Sequence, residues 1–479
     1  MLRRKIAIFL SLIFAININA NNADMLVKMG KAFEGNGKIE QAIGAYQLAG
    51  SEDSKSLEAH SCLARALYKN RKYDLAEVAY RNALKVKPEN LQLMLELGNT
   101  LILLDKTDEA IDTFMCMLIL APNCVPAMGN VARILSSKGN ISEAIGIYEK
   151  MLTVVPNDVL SQFNLSLLYL TIGEFKKGFA MYNGCRWTLN REPRPKFSQS
   201  EWDGSTSLYG KCFLICSEQG LGDMFQFIRY AKKAKALGAT VIAQAHKPLV
   251  KILSLCPYLD IVIQEGAPIP EFDTFVPLVC LPEVFQTTVE TIPSPTPYLF
   301  AKEDLVKYWK HRLSEDKTFK VGICWQGMIE QDSEIIRHFA SKRSFGLDGF
   351  KKLIGVDGVT FYSLQKEHQN GVVADGLVIK GFGDEFDKSH GAFMDTAAIM
   401  KNLDLVITID TSIAHLAGGL GVKTWVILPY EASWRWLIGC SDTPWYSTMK
   451  LFRQKDLDDK YSVFDDVKQE LKKCVIEKD

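Results

Sequence analysis

The chain carries no net charge, with 56 Lys and Arg balancing 56 Asp and Glu in 479 residues. That removes the basic excess which marks a nucleic-acid-binding domain. Its 11 cysteines are an odd number. None forms a CxxC pair, and no Cys/His cluster has zinc spacing, so neither a structural zinc site nor a disulfide framework is expected. Cys212 and Cys216 sit four apart in an apolar run with strand character. They therefore share one face and read as core. Long apolar runs are also scarce. The exception is Ile6 to Ile16, which follows Arg3-Arg4-Lys5 and precedes Ile18-Asn19-Ala20. Residues 1–20 read as a secretory-signal-like leader, too short for a comfortable membrane span. A leader packed on the following helices is the alternative.

What remains is an ordinary globular composition, 47% hydrophobic and 23% charged, with length for two to four domains. The first third repeats itself. With a period of about 34 residues, one position reads Gly30, Ala64, Gly98, Ala132, Ser166. A second reads Ala42, Ala76, Ala110, Ala144, Gly178, and a third Tyr46, Tyr80, Phe114, Tyr148, Tyr182. A fourth reads Ser54, Pro88, Pro122, Pro156. Small residues let two helices approach closely, the aromatic fills the layer between them, and proline ends the second helix. This matches the tetratricopeptide pattern in period, residue type and offset. An array of about five such repeats is expected over residues 23–189, with a concave groove that takes a protein partner. A spacer or oligomerisation arm is the plainer reading.

A proline-bearing linker, 190–201, leads into an α/β pattern. Strands are expected at Cys212–Cys216, Thr240–Ala243, Ile261–Ile263, Phe272–Pro277, Lys320–Trp325, Thr360–Ser363, Leu403–Ile409 and Thr424–Leu428. Helices are expected at Asp223–Leu237, Pro248–Leu255, Asp304–Leu313, Thr396–Asn402 and Ile413–Gly419. Alternation of this kind predicts parallel sheets. The stretch Ile292-Pro293-Ser294-Pro295-Thr296-Pro297 divides the region. The expected fold class is therefore α plus α/β. A helical solenoid precedes two Rossmann-like halves, 202–300 and 319–479, joined by residues 301–318, with a ligand cleft at their C-terminal strand ends.

Two turns carry the chemistry. In Glu218-Gln219-Gly220-Leu221-Gly222-Asp223, Gly220 and Gly222 permit a tight turn and close ligand approach. Asp223 at the helix start reads as a general base or, more plainly, as a helix cap. In Asp410-Thr411-Ser412-Ile413-Ala414-His415, Thr411 and Ser412 open a helix whose first N–H groups suit a diphosphate, flanked by Asp410 and His415. An ordinary capped helix with a satisfied histidine is the alternative. Lys342-Arg343-Ser344 offers a cation for a leaving diphosphate or a solvated loop. Gln365 ends a strand of the same half, where a base or sugar could be hydrogen-bonded. Trp434-Arg435-Trp436 suits stacking or phosphate contact, or the packed start of a helix.

The segments WDGS (202–205), EQGLGD (218–223), QFIRY (226–230), SLQ (363–365), DTAA (395–398), LDLVITIDTSIAHLAG (403–418), SWRW (433–436), PWY (444–446) and KLFRQ (450–454) resemble those of bacterial tetratricopeptide-repeat glycosyltransferases. The C-terminal part is similar to the heptosyltransferases of glycosyltransferase family 9, which have the GT-B fold. The resemblance implies metal-independent, inverting transfer from a nucleotide-sugar donor to a glycan or protein acceptor, with no further cofactor. By motif position it implies Asp223 as catalytic base. Arg343, Asp410, Thr411, Ser412 and His415 would lie around the donor diphosphate, and Gln365 near the nucleotide. A protein-binding scaffold with an inactive transferase-like domain is the second reading, and a nucleotide-sugar epimerase the third. Because nucleotide sugars are cytosolic, the cytoplasm or its membrane face is expected, with export through the leader as the alternative.

Overall fold

A computed structural model describes residues 22–190, 194–327, 345–368, 370–457 and 459–477. The signal-like leader and the Lys342-Arg343-Ser344 segment lie outside the described residues. The chain divides into two compact units, Met1–Pro156 and Asn157–Asp479.

The first unit is a run of helical hairpins: α1 (Asn22–Gly35) with α2 (Ile39–Glu52), α3 (Leu57–Lys69) with α4 (Tyr73–Val86), α5 (Leu91–Leu103) with α6 (Thr107–Leu120), and α7 (Val125–Ser137) with α8 (Ile141–Val154). Local chemistry sets each boundary. Ser56 and Asn90 cap α3 and α5 by accepting from the N–H of Ala59 and Leu93 at 3.2 and 3.1 Å, which satisfies a donor the helix itself cannot. The turn within each hairpin holds one residue in the left-handed region, at the same repeat position: Gly37 (φ 73), Arg71 (φ 59), Asp105 (φ 59) and Gly139 (φ 83). The next N–H then returns to the carbonyl five residues back, as from Lys72 to Leu67 at 3.0 Å and Lys106 to Leu101 at 2.9 Å. That bond closes the helix C-terminus. Glycine meets this backbone demand freely, whereas Arg71 and Asp105 meet it with some strain.

The repeat positions do what their spacing implies. Tyr46, Tyr80, Phe114 and Tyr148 are buried between the helices of their hairpins. A Cβ on Gly30 would lie 2.4 Å from the Tyr46 ring, and one on Gly98 2.4 Å from Phe114. A side chain at either glycine would therefore clash with the aromatic of its own hairpin.

The second unit opens with the last hairpin, α9 (Val159–Thr171) and α10 (Phe175–Asn190). Its turn repeats the left-handed position at Gly173 (φ 84), and Asp158 caps α9 through the N–H of Ser161 at 2.9 Å. A four-stranded sheet follows, built from β1 (Cys212–Cys216), β2 (Thr240–Ala245), β3 (Ile261–Gln264) and β4 (Thr274–Pro277). Its order is β3-β2-β1-β4, with every pairing parallel. A seven-stranded sheet comes next, from β5 (Phe319–Cys324), β6 (Val359–Ser363), β7 (Gly371–Ala374), β8 (Leu377–Lys380), β9 (Leu405–Ile409), β10 (Thr424–Leu428) and β11 (Met449–Arg453). Its order is β11-β10-β9-β5-β6-β8-β7, and β7 runs antiparallel at the edge. Every residue of β4, β9 and β10 is buried, as parallel strands covered on both faces require.

All eight expected strands form, with ends shifted by a residue or two. Three further strands have no counterpart among the expectations. One is β11, which overlaps the KLFRQ segment. The others form the β7–β8 hairpin, which turns at Asp375 (φ 47) and Gly376 (φ 92). Asp-Gly between two apolar pairs is a hairpin signal. The helix expected over 223–237 is divided into α11 (Leu221–Phe227), a single tight turn Ile228–Tyr230, and Ala231–Ala236. The reason is Arg229. It turns inward, wholly buried, and its Nε takes the Gln226 carbonyl at 2.7 Å, an acceptor that a continuous helix directs to its own backbone. The remaining labelled helices are α12 (Glu303–Arg312), α13 (Met394–Met400), α14 (Ser412–Gly419) and α15 (Val463–Ile476). No described helix is long and apolar enough to cross a membrane.

Candidate functional site

The first turn leaves β1 at Cys216 and enters α11. Glu218 is buried at its centre, with both carboxylate oxygens on Arg186 of α10, at 2.5 and 3.0 Å. Oε1 also accepts the Val279 N–H at 2.5 Å. Burial pushes the Glu218 carboxyl above its ordinary range, while Arg186 and the Val279 N–H draw it back. Gln219 follows with φ 59, and its amide donates to the Tyr182 hydroxyl of α10 at 2.8 Å. The turn is thus pinned to α10 through two consecutive residues. Asp223 Oδ2 accepts the Gly220 N–H at 3.1 Å. The cap role is therefore present in Asp223. Its second oxygen, Oδ1, pairs with Nη2 of Arg435.

The second turn leaves β9 at Ile409 and enters α14. Thr411 stands at the helix start with extended backbone (φ −141, ψ 173), and its side chain does not cap the helix. The hydroxyl instead faces that of Thr408 at 3.3 Å. His415, one turn into α14, is buried. Its Nδ1 meets the Tyr446 hydroxyl at 2.7 Å, and its ring stacks on Trp436 at 5.4 Å and 16°. Asp410 Oδ1 is 3.9 Å from Nε2. Burial, with Arg435 adding to it, pushes the His415 imidazole down to about 3. The ring is neutral at physiological pH.

The two turns meet. A Cβ on Gly222 would lie 3.0 Å from the His415 ring and 3.6 Å from Ser412 Cα. Gly222 thus has a packing reason beyond turn geometry, since a Cβ there would press on the His415 ring. Asp223, Asp410, Ser412, His415 and Arg435 consequently share one locality. Arg435 is held with Asp223 and Asp410 as its strongest favourable charges.

Gln365 lies apart in role. Its Oε1 accepts the Gln326 N–H and its Nε2 donates to the Gln326 carbonyl, both at 3.1 Å. This amide ties the end of β6 to the segment leaving β5. Among the described residues no group of His, Cys, Asp and Glu could hold a metal ion. A cavity of 540 Å³ opens beside Trp309, Asp316, Tyr362 and Lys380, and its lining includes no candidate residue. Asp316 there already accepts from the Tyr362 hydroxyl at 2.6 Å and from Thr318. That carboxylate is an anchor between strands rather than a reactive group.

Four partner residues escape the sequence reading in their roles. Arg435 pairs with Asp223 across 212 positions. Arg186 belongs to the last repeat, yet serves the Glu218 turn. Tyr446 and Trp436 hold His415. Arg435, Trp436 and Tyr446 show in the sequence only as residue types within the SWRW and PWY segments, and Arg186 carries no local signal.

Comparison with known proteins bears on the helical part. A tetratricopeptide-repeat family model matches residues 63–115, and a second matches 127–160. Solved structures similar to this part include MamA, 17% identical over 36% of this chain and 98% of that one, with a TM-score of 0.32. MamA 41-end from Desulfovibrio magneticus RS-1 is 13% identical over 36% and 99%, with a TM-score of 0.34. YrrB, described as a TPR protein with an unusual peptide-binding site, is 18% identical over 35% and 89%, with a TM-score of 0.30. No curated protein sequence matches the chain. The N-terminal region is a tetratricopeptide-repeat solenoid of about 10 helices, followed by a region of parallel and mixed sheets. Repeats of this class support a protein partner.

Proposed function

We propose that the second unit is a GT-B-type glycosyltransferase. In this reading it transfers a sugar from a nucleotide-sugar donor to a glycan or protein acceptor, by a metal-independent, inverting displacement. One observation carries the reading. The Glu218–Asp223 and Asp410–His415 turns come from different sheets, yet meet at Gly222 and His415 with Asp223 beside the start of α14. A donor diphosphate would rest on the first-turn N–H groups of α14, with Thr411 and Ser412 at its edge. Asp223 would take the proton of an acceptor hydroxyl as that oxygen attacks the anomeric carbon. The bond from that carbon to the diphosphate breaks, and the diphosphate leaves with the electron pair. Neutral His415 places no positive charge of its own there, so backbone dipoles and cations would carry the stabilisation. Arg343 is assigned to the same diphosphate on motif position alone. The repeat array would select or hold the acceptor, and the reaction would take place on the cytoplasmic side, where the donor is made.

One observation favours the second reading, a scaffold with an inactive domain. Both oxygens of Asp223 are occupied, by the Gly220 N–H and by Arg435. The two readings separate on a panel of nucleotide sugars assayed for binding, hydrolysis and transfer with wild type and Asp223→Ala. The transferase reading expects donor binding by both and turnover by wild type alone. Absence of binding by any donor at millimolar concentration sinks it, and equal turnover by both removes Asp223 from the chemistry.

A further inference from the structure

Among the described residues, the charges at the meeting point of the two turns do not by themselves balance a diphosphate. Asp223 and Asp410 are acidic and His415 is neutral. Arg186 is spent on Glu218. Arg229 is spent on the Trp445 carbonyl, the Tyr298 hydroxyl and the Gln226 carbonyl. Arg435 pairs with Asp223, and Asp410 is the next favourable charge on it. Among the described residues, an entering diphosphate would therefore meet two carboxylates and a cation paired with one of them, with Arg343 outside those residues.

The segment around Arg435 anchors its backbone on both sides and leaves its guanidinium partly exposed. Trp434 and Trp436 on either side are buried at 7% and 0% exposure. Trp434 packs edge-on against Phe179 at 5.5 Å, and Trp436 stacks on His415. The Arg435 side chain keeps 17% exposure, and that of Asp223 keeps 15%. The Arg435 guanidinium lies 4.5 Å from the Trp434 ring centre, and its Nη1 donates to a neutral hydroxyl, Ser433 Oγ, at 3.1 Å. Charge holds the arginine to Asp223, and the flat ring under it lets the planar group slide without losing contact.

We propose that Arg435 is a two-position latch on Asp223. Without ligand its guanidinium neutralises Asp223 and occupies Oδ1 of that carboxylate. A diphosphate seated at the start of α14, two charges or more against one, captures the guanidinium in bidentate fashion. Asp223 Oδ1 is then released to accept a proton, and only while the donor is in place. The latch rests on the transferase reading. It makes donor binding precede acceptor activation, and it gives the Arg435–Asp223 pair a role.

The test uses inorganic pyrophosphate and calorimetric titration of the full chain, with Asp223→Asn and Arg435→Met beside wild type. Asparagine keeps an oxygen for the Gly220 N–H, so the cap survives, and the circular dichroism spectrum checks the fold. If Asp223 and the anion compete for Arg435, Asp223→Asn binds pyrophosphate more tightly than wild type. Loss of one charge-assisted hydrogen bond sets the gain at roughly tenfold or more. Arg435→Met weakens binding by a similar factor, and Arg435→Lys, with charge but no bidentate fork, falls between. Equal or weaker binding by Asp223→Asn, with wild type binding normally, overturns the latch and leaves the diphosphate site standing. Unchanged binding by Arg435→Met overturns it too. No binding by any of the proteins at millimolar pyrophosphate removes the diphosphate site, and both proposals with it.

Discussion

Removing Arg186 tests how the last repeat is joined to the α/β region. The pair it makes with Glu218 is deeply buried, at 1% and 5% side-chain exposure. Replacing one member of such a pair leaves an uncompensated charge and costs about 3–5 kcal/mol. Arg186→Met therefore destabilises the second unit by about that much near neutral pH. Glu218→Gln strands the cation instead, though Asn183 Oδ1 at 2.8 Å and the Trp187 ring at 3.7 Å still hold the guanidinium, so its cost lies at the lower end. The double variant, which buries no charge, costs less than the sum of the singles, so the cycle gives a clear coupling energy. The pH dependence carries a definite sign. Burial already raises Glu218 and Arg186 opposes it, so in Arg186→Met the folded-state value rises further. A carboxyl whose folded value lies above its unfolded value, about 4.3, stabilises the fold when protonated and loses that contribution as pH rises. The deficit of Arg186→Met thus grows between pH 5 and 7.5, by up to about 1.4 kcal/mol per unit. The Arg186→Met/Glu218→Gln double variant lacks this growth. Urea unfolding followed by tryptophan fluorescence measures it cleanly, because all 8 tryptophans lie beyond Pro156. A cost below about 1 kcal/mol for Arg186→Met, or a deficit independent of pH, refutes the buried-pair argument.

Two further outcomes follow from the same physics. His415 is held at about 3 against an ordinary 6.5, so its neutral form contributes stability that is complete above 6.5 and is lost as pH falls toward 3. At pH 5 this amounts to about 2 kcal/mol relative to neutral pH, and His415→Gln should lack that part of the acid sensitivity. An NMR titration that finds His415 protonating above 6 contradicts it. In the first unit, Gly98→Ala puts a methyl 2.4 Å from Phe114 and should cost about 1–3 kcal/mol. Gly146→Ala in α8, with nothing within 4 Å, should instead stabilise by roughly 0.5–1 kcal/mol. Circular dichroism melting of both variants decides, and equal shifts would remove close packing as the reason for glycine at 98.

The sequence by itself determined what depends on near neighbours. Helical hairpins follow from a small residue, an aromatic and a proline recurring at one period, because each hairpin buries its own aromatic and ends on its own turn. The eight expected strands follow from apolar runs closed by turn residues, because a covered parallel strand needs little more. The β7–β8 hairpin was legible in Asp375-Gly376 as well, though its flanking strands are too short to stand out as periodic. The tertiary structure alone decided the pairings. Asp223 with Arg435, Glu218 with Arg186, and Gly222 against His415 join residues that share no element and no period. Each is selected by burial and charge at a place that exists only once the elements have packed. For the same reason Asp223 could be recognised at a helix start from its motif, while the cation that masks it could not.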